Sequence, residues 1–132
     1  MKKVEIYTWQ YCPFCIRAKS LLNKKNIEFI EGFFEKSLPK INHKEMYGDR
    51  KATLINIDCD LYESAVPVFS HISNLLQEGT ILYIDDYFAG YKGNPFKGVS
   101  GAMKKWIKNV EWELEPYRDV GITGKSYVVY RI

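Results

Sequence analysis

The chain has 132 residues, a length that suits one globular domain with a hydrophobic core of its own. Hydrophobic residues make up 46% of the sequence and charged residues 27%, and the formal net charge is only +3. So small a basic excess argues against nucleic acid as a partner, and the lack of a long apolar run argues against a membrane span or a signal peptide. We therefore expect a cytoplasmic protein that binds neither nucleic acid nor membrane.

The first 31 residues predict a strand, a helix and a second strand. Apolar alternation predicts a strand at about 3–8, and an apolar stripe predicts a helix from Cys12 or Pro13 to about Lys25. Pro13 suits the first turn of that helix. The run Ile27–Ile30 reads as the second strand. Strands joined by one helix form a βαβ unit, so we expect them to be parallel.

The rest of the chain continues the alternation of strands and helices. Residues 36–51 are polar and predict irregular structure. The following predictions are a strand over Ala52–Ile57, a helix capped by Ser64 that runs to about Gln77, and a strand over Thr80–Ile84. A glycine-rich loop over 89–101, a short helix at about 101–108 and strands near 110–115 and 126–131 complete the chain.

The strongest chemical signal is the pair Cys12 and Cys15, which is separated by two residues at a predicted strand-to-helix junction. Unpaired N–H groups and the positive end of the helix dipole favour a thiolate at Cys12. Cys15 lies one turn later on the same face, so the two sulfurs can form a reversible disulfide. Cys12 is then the attacking thiol and Cys15 the resolving one.

The stretch from Val4 to Phe29, with its C-P-F-C motif, resembles the opening of glutaredoxins. This resemblance implies a thiol–disulfide oxidoreductase whose substrate is a small thiol or a protein disulfide. Dithiol chemistry needs no cofactor. Glutathione binding stays open, because Ala65-Val66-Pro67 is the nearest match to the family's Thr-Val-Pro segment and no Gly-Gly pair follows.

The alternative to redox chemistry is a zinc half-site or an inert cysteine pair. Further zinc ligands would have to come from Cys59, His43 and His71, which have no paired spacing. We expect Cys59 to be a packed thiol and the two histidines to lie on the surface or on a helix face.

The remaining residues resemble the C-terminal half of macrocin-type O-methyltransferases. The similar segments contain the strings F-F-E-K-S-L-P, D-C-D-L-Y-E-S and D-D-Y, within Gly32–Pro39, Ile57–Ser64 and Gly79–Tyr87. That family depends on S-adenosylmethionine and has a Rossmann-like fold. By position, the resemblance implies that Asp58, Asp85 and Asp86 hold Mg²⁺, although aspartates after strands also serve as caps and turn residues.

The half of a methyltransferase that binds S-adenosylmethionine has no counterpart in this sequence, so we do not expect that cofactor to bind. The glutaredoxin-like residues 1–31 stand in its place, ahead of the methyltransferase-like residues 32–132. We interpret the chain as a chimera, joined within the strand around Ile30.

The predicted architecture is a single α/β domain over residues 1–132. It is a three-layer sandwich around a mostly parallel sheet of flavodoxin or Rossmann-like type. The predicted strand order is 2-1-3-4, with the last two strands beyond it and one of them antiparallel. Cys12, Asp58 and Asp85 would then lie at the carboxyl ends of neighbouring strands.

The leading functional hypothesis is a glutaredoxin-like oxidoreductase that uses Cys12 and Cys15. The first alternative is a metal-dependent O-methyltransferase, or its remnant without the usual cofactor site. The second alternative is a non-catalytic α/β binding module.

Overall fold

The computed structural model describes residues 5–8, 13, 16, 17, 20 and 28–132. The chain divides into two compact units, Met1–Ile41 and Asn42–Ile132, and each is described by itself. The prediction of one domain built from residues 1–31 and 32–132 stays a prediction.

The first unit contains two parallel strands, as the βαβ pattern predicts. Strand β1 (Glu5–Thr8) pairs with β2 (Glu28–Glu31), and Glu5 lies opposite Glu28. Between them, the described residues Pro13, Ile16, Arg17 and Ser20 are helical. Helix α1 (Phe34–Ser37) and a 3₁₀ turn (Leu38–Lys40) follow.

The second unit alternates helices and strands and ends in a hairpin. Its elements are α2 (His43–Tyr47), β3 (Leu54–Ile57), α3 (Tyr62–Ile72), a 3₁₀ turn (Ser73–Leu75), β4 (Ile81–Ile84), α4 (Gly98–Ile107), β5 (Trp112–Val120) and β6 (Gly124–Arg131).

The sheet of the second unit has the order β3-β4-β6-β5. Strands β3 and β4 are parallel, and β6 is antiparallel to both β4 and β5. The α/β class and the single antiparallel strand are confirmed, but the sheet is mixed rather than purely parallel. The ladders of the described residues do not include the predicted pairing of the first strand with β3, and the three-layer arrangement stays a prediction.

Helices α3 and α4 pack against one face of this sheet. In α3 the buried residues Ala65, Phe69 and Ile72 are spaced by four and three, which places them on one side of a helix. In β4 the alternation of period two buries Leu82 and Ile84. The core also contains Ile57, Leu76, Tyr87, Val99, Ala102, Met103, Tyr127 and Val129.

Trp106 and Trp112 lie against this core. The ring of Trp106 stacks on Phe69 with centroids 5.0 Å apart, and its Nε1 donates to Ser73 Oγ at 2.8 Å. Trp112 is partly buried against the same cluster. Trp106 therefore joins α4 to the end of α3.

The structure corrects two local predictions. Residues 36–51 are not simply irregular, because they contain part of α1, a 3₁₀ turn and α2. Helix α2 begins after Asn42, whose Oδ1 accepts from the N–H groups of Lys44 and Glu45 at 3.1 and 3.3 Å. Helix α3 begins after Leu61 rather than Ser64, and Pro67 lies inside it.

The helices in the described part of the chain are too short or too polar to cross a membrane.

Candidate functional site

The predicted dithiol, Cys12 and Cys15, lies outside the described residues. The described neighbours Pro13, Ile16 and Arg17 are helical and exposed. The thiolate at Cys12 and the disulfide to Cys15 therefore stay predictions.

The predicted aspartates lie at the carboxyl ends of β3 and β4. The parallel register pairs Ile57 with Ile84, so Asp58 and Asp85 leave neighbouring strands at the same level. The N–H of Asp85 continues the ladder by donating to the carbonyl of Ile57 at 2.9 Å. The strand ends thus bring these acidic residues to one edge of the sheet.

Three carboxylates meet at this edge: those of Asp58, Asp60 and Asp86, one oxygen from each lying within 4.8 Å of the others. We call them the acidic cluster. Asp60 adopts a φ of 53°, in the left-handed region, and its N–H donates to Asp86 Oδ2 at 3.3 Å. Asp60 is not among the ligands predicted from the sequence, although its place in the D-C-D string was the available signal.

Asp85, the third predicted metal ligand, is not in the acidic cluster. Its Oδ1 accepts a hydrogen bond from the hydroxyl of Tyr83 at 2.5 Å. This bond favours the protonated phenol and, with the nearby carboxylates, raises the pKa of Tyr83 to about 12. The structure therefore groups Asp58 and Asp86 with Asp60, and pairs Asp85 with Tyr83.

The electrostatics of the acidic cluster suit a cation. Burial raises the pKa of Asp58, and the charges of Asp85 and Asp60 raise it further. Burial and the hydrogen bond with Asp60 raise the pKa of Asp86 to about 7. Crowded carboxylates hold protons because they repel one another, and a divalent cation would relieve that repulsion.

Cys59 lies within the D-C-D string, in surroundings that favour the protonated thiol. Its side chain packs against the core, and burial raises the pKa of its thiol to about 12. Because the thiolate is the nucleophile, Cys59 is protonated and unreactive near neutral pH. The prediction of a packed thiol is confirmed.

The two histidines of the chain lie side by side, which their spacing in the sequence did not reveal. The ring centroids of His43 and His71 are 4.4 Å apart. His71 is buried on α3, and its Nε2 is 2.9 Å from the hydroxyl oxygen of Tyr47. A helix-face position is thus confirmed for His71, but it is not at the surface.

Comparison with known sequences identifies the N-terminal segment. Residues 4–32 match the glutaredoxin family. Over 29 residues the chain is 76% identical to a probable glutaredoxin of Synechocystis sp., covering 22% of this chain and 27% of that protein. Over 31 residues it is 55% identical to glutaredoxin 3 of Escherichia coli K12, covering 24% and 37%. The chain thus spans well under half the length of these relatives.

Comparison with solved structures identifies the fold. The chain is similar to a TDP-rhamnose 3′-O-methyltransferase of calicheamicin biosynthesis, with a TM-score of 0.66 and 18% identity, over 96% of this chain and 58% of that one. It is similar to an O-methyltransferase from Bacillus cereus, with a TM-score of 0.59 and 16% identity, over 96% and 63%. At such identities the likeness concerns the fold.

These comparisons confirm the glutaredoxin resemblance in sequence and an O-methyltransferase-like architecture in the fold. The N-terminal residues are glutaredoxin-like in sequence, and the solved structures with a similar fold include O-methyltransferases. The combination is consistent with a chimera.

Proposed function

We propose that the chain is a thiol–disulfide oxidoreductase in which Cys12 and Cys15 carry the reaction. The observation that carries this proposal is the match of residues 4–32 to glutaredoxins, a stretch that includes both cysteines. The substrate is a small-molecule or protein disulfide. A reducing compartment such as the cytoplasm keeps such a dithiol ready to react.

The reaction requires two thiol–disulfide exchanges. The thiolate of Cys12 attacks one sulfur of the substrate disulfide, and the other substrate sulfur leaves as a thiolate that takes up a proton. The thiolate of Cys15 then attacks the Cys12 sulfur of the mixed disulfide and releases the second substrate thiol. The substrate gains two electrons, and the enzyme holds a Cys12–Cys15 disulfide. Two equivalents of an external thiol, for which glutathione is our candidate, restore the dithiol.

The test is a disulfide reductase assay with single cysteine variants. We expect Cys12→Ser to reduce activity to the background rate, because it removes the attacking sulfur. Cys15→Ser should still form a mixed disulfide that accumulates and is detectable by mass. Cys59→Ser is the matched control and should retain activity, because the pKa of about 12 keeps that thiol protonated.

Two outcomes would contradict the redox proposal. One is equal activity in the Cys12→Ser variant and the unmodified chain. The other is a Cys12 thiol that alkylates no faster than an ordinary free thiol, with a pKa of about 8.5.

A second candidate function is divalent cation binding at the acidic cluster, in support of methyl transfer or as a binding module. The observation that favours it is the approach of the Asp58, Asp60 and Asp86 carboxylates to within 4.8 Å at the sheet edge. These three residues would hold the ion, with Asp85 close by in the chain. A bound Mg²⁺ lowers the pKa of a hydroxyl that it coordinates.

The cation test is a Mg²⁺ titration by calorimetry at about pH 6 and about pH 8. We expect tighter binding at the higher pH, because protons compete with the ion at Asp86, whose pKa is about 7. Asp86→Asn should abolish the pH dependence and weaken binding. Asp49→Asn, at an exposed aspartate outside the cluster, is the control for loss of one charge. Equal Mg²⁺ affinity in the Asp86→Asn variant would rule the site out.

A further inference from the structure

All of the charged side chains in residues 87–110 are positive. The segment contains five lysines and no aspartate or glutamate, although the whole chain carries a net charge of only +3. The rest of the chain is therefore net negative, and the basic charge is concentrated in one segment. These lysines are Lys92, Lys97, Lys104, Lys105 and Lys108.

Three of the lysines lie along one side of α4. Lys97 is the residue at the N-terminal cap of the helix, and Lys104 and Lys108 follow at spacings of seven and four. Residues at these spacings share a helix face. The Nζ of Lys104 donates to the carbonyl of Gly93 at 3.2 Å, which ties this face to the preceding loop.

These lysines are not neutralised within the described part of the chain. The ion pair there joins Lys125 to Asp119, with 4.0 Å between Nζ and Oδ1, and involves none of the five. Lys92, Lys97, Lys105 and Lys108 are exposed. Their charge is therefore available to a partner.

Two aromatic rings are exposed beside the lysines. Phe96 is 82% exposed and Tyr91 is 54% exposed. The Nζ of Lys97 lies 5.8 Å from the centroid of the Tyr91 ring. With the five lysines, Phe96 and Tyr91 form what we call the basic aromatic surface.

Local hydrogen bonds and close packing hold the backbone around Phe96. The N–H of Phe96 donates to Asn94 Oδ1 at 2.8 Å, and Ser100 Oγ donates to the carbonyl of Asn94 at 2.9 Å. Gly101 lets α4 approach the loop, because a Cβ there would lie 2.6 Å from the carbonyl carbon of Phe96. A loop held in this way presents its rings at a low entropic cost of binding.

We infer that the basic aromatic surface binds single-stranded nucleic acid. Such binding combines lysines that contact phosphates with aromatic rings on which bases stack. An anionic membrane fits less well, because an interfacial helix needs an apolar face to insert. The apolar residues of α4, Val99, Ala102 and Met103, are already buried in the core.

This inference departs from the expectation drawn from net charge. A charge summed over the whole chain averages the lysine-rich segment with its acidic surroundings, whereas binding depends on the local field. The surface lies wholly within the second unit and is independent of the proposed dithiol chemistry.

The test is fluorescence anisotropy of the full chain with a labelled oligouridine of about 15 nucleotides. If about four phosphates are contacted, raising the salt from about 50 to about 200 mM should weaken binding about fiftyfold. The double variant Lys97→Glu with Lys108→Glu should lose at least about tenfold in affinity. Lys44→Glu with Arg118→Glu is the matched control, because both residues are exposed and lie outside the surface.

A second variant separates nucleic acid from lipid. Phe96→Leu keeps an apolar side chain but removes the flat ring, so oligouridine binding should fall while any binding to anionic phosphatidylserine vesicles would persist. The inference is overturned if the oligonucleotide does not bind at low salt. It is equally overturned if the matched control weakens binding as much as the lysine variant, or if Phe96→Leu leaves binding unchanged.

Discussion

At the scale of single residues, His71 is a titratable side chain buried in the second unit. It lies against the ring of His43 and next to the hydroxyl of Tyr47. Burial and, to a smaller extent, the proximity of His43 lower the pKa of His71 to about 4. The Nδ1 of His43 is itself buried and has no hydrogen-bond partner among the described residues.

The lowered pKa of His71 predicts a loss of stability in acid. The folded state takes up its proton near pH 4, whereas the unfolded state does so near pH 6.5. The free energy of unfolding should therefore fall as the pH drops from about 6.5 to about 4, by up to about 1.4 kcal/mol per pH unit. Chemical denaturation at several pH values measures this slope.

The control for His71 is the variant His71→Gln, which keeps a polar side chain opposite Tyr47. Its stability should depend less on pH between about 4 and about 6.5, because the shifted group is gone. The same acid slope in both proteins would assign the pH dependence to other groups.

The composition of the acidic cluster depends on the backbone conformation of Asp60. The left-handed φ of 53° at Asp60 accompanies the approach of its N–H and carboxylate to Asp86. The predicted ends of β3 and β4 were sufficient to place Asp58 and Asp86 at the same edge of the sheet. The conformation of a turn and the bond between Tyr83 and Asp85 then decided which carboxylates meet.

At the scale of elements, the packing of α4 depends on close approach to the loop before it. A Cβ at Gly101 would lie 2.6 Å from the Phe96 carbonyl carbon and 3.1 Å from its oxygen. Both neighbours are backbone atoms, which cannot move away without shifting the loop. The absence of a side chain at Gly101 therefore allows α4 to pack closely against the loop, although glycine is a poor helix former.

Gly101→Ala tests this packing. Alanine is the better helix former by about 1 kcal/mol, but the contact with the Phe96 backbone should outweigh that gain and destabilise the protein by about 1–3 kcal/mol. Thermal and urea unfolding would measure the change. Lys105→Ala, on the exposed side of α4, should stay within about 0.5 kcal/mol of the unmodified chain. A stabilised Gly101→Ala variant would contradict the steric argument.

At the scale of the whole molecule, the chain shows two likenesses, one in its sequence and one in its fold. The glutaredoxin likeness is in the sequence of residues 4–32, and the methyltransferase likeness is in the fold. A fold is shared by proteins of many functions, so the methyltransferase-like architecture does not establish methyl transfer.

We predict from the sequence that S-adenosylmethionine does not bind. The glycine-rich turn and the acidic residue that hold this cofactor in Rossmann-like proteins have no counterpart in the sequence. Calorimetric titration with S-adenosylmethionine should therefore give no saturable heat, in the same preparation that is titrated with Mg²⁺. Saturable binding would contradict this view and favour the methyltransferase alternative.

Local sequence patterns predicted the order and type of most elements of the second unit. Period-two and helical spacings of apolar residues depend only on near neighbours, so β3, β4, α3 and both terminal strands were predictable to within about five residues at each end. The short helices α1 and α2 were not, because four or five residues are too few to establish a period. The cysteine motif was likewise readable, because its chemistry depends on local spacing.

Contacts between side chains that are distant in the sequence depend on how the elements pack. His43 and His71 are 28 positions apart, and their contact depends on how α2 and α3 come together rather than on any local pattern. The membership of Asp60 in the acidic cluster, and the exposure of Phe96 beside the lysines, likewise follow from turns and packing. Periodicity fixes which face of an element is apolar, whereas contacts between elements depend on register, turn conformation and close approach.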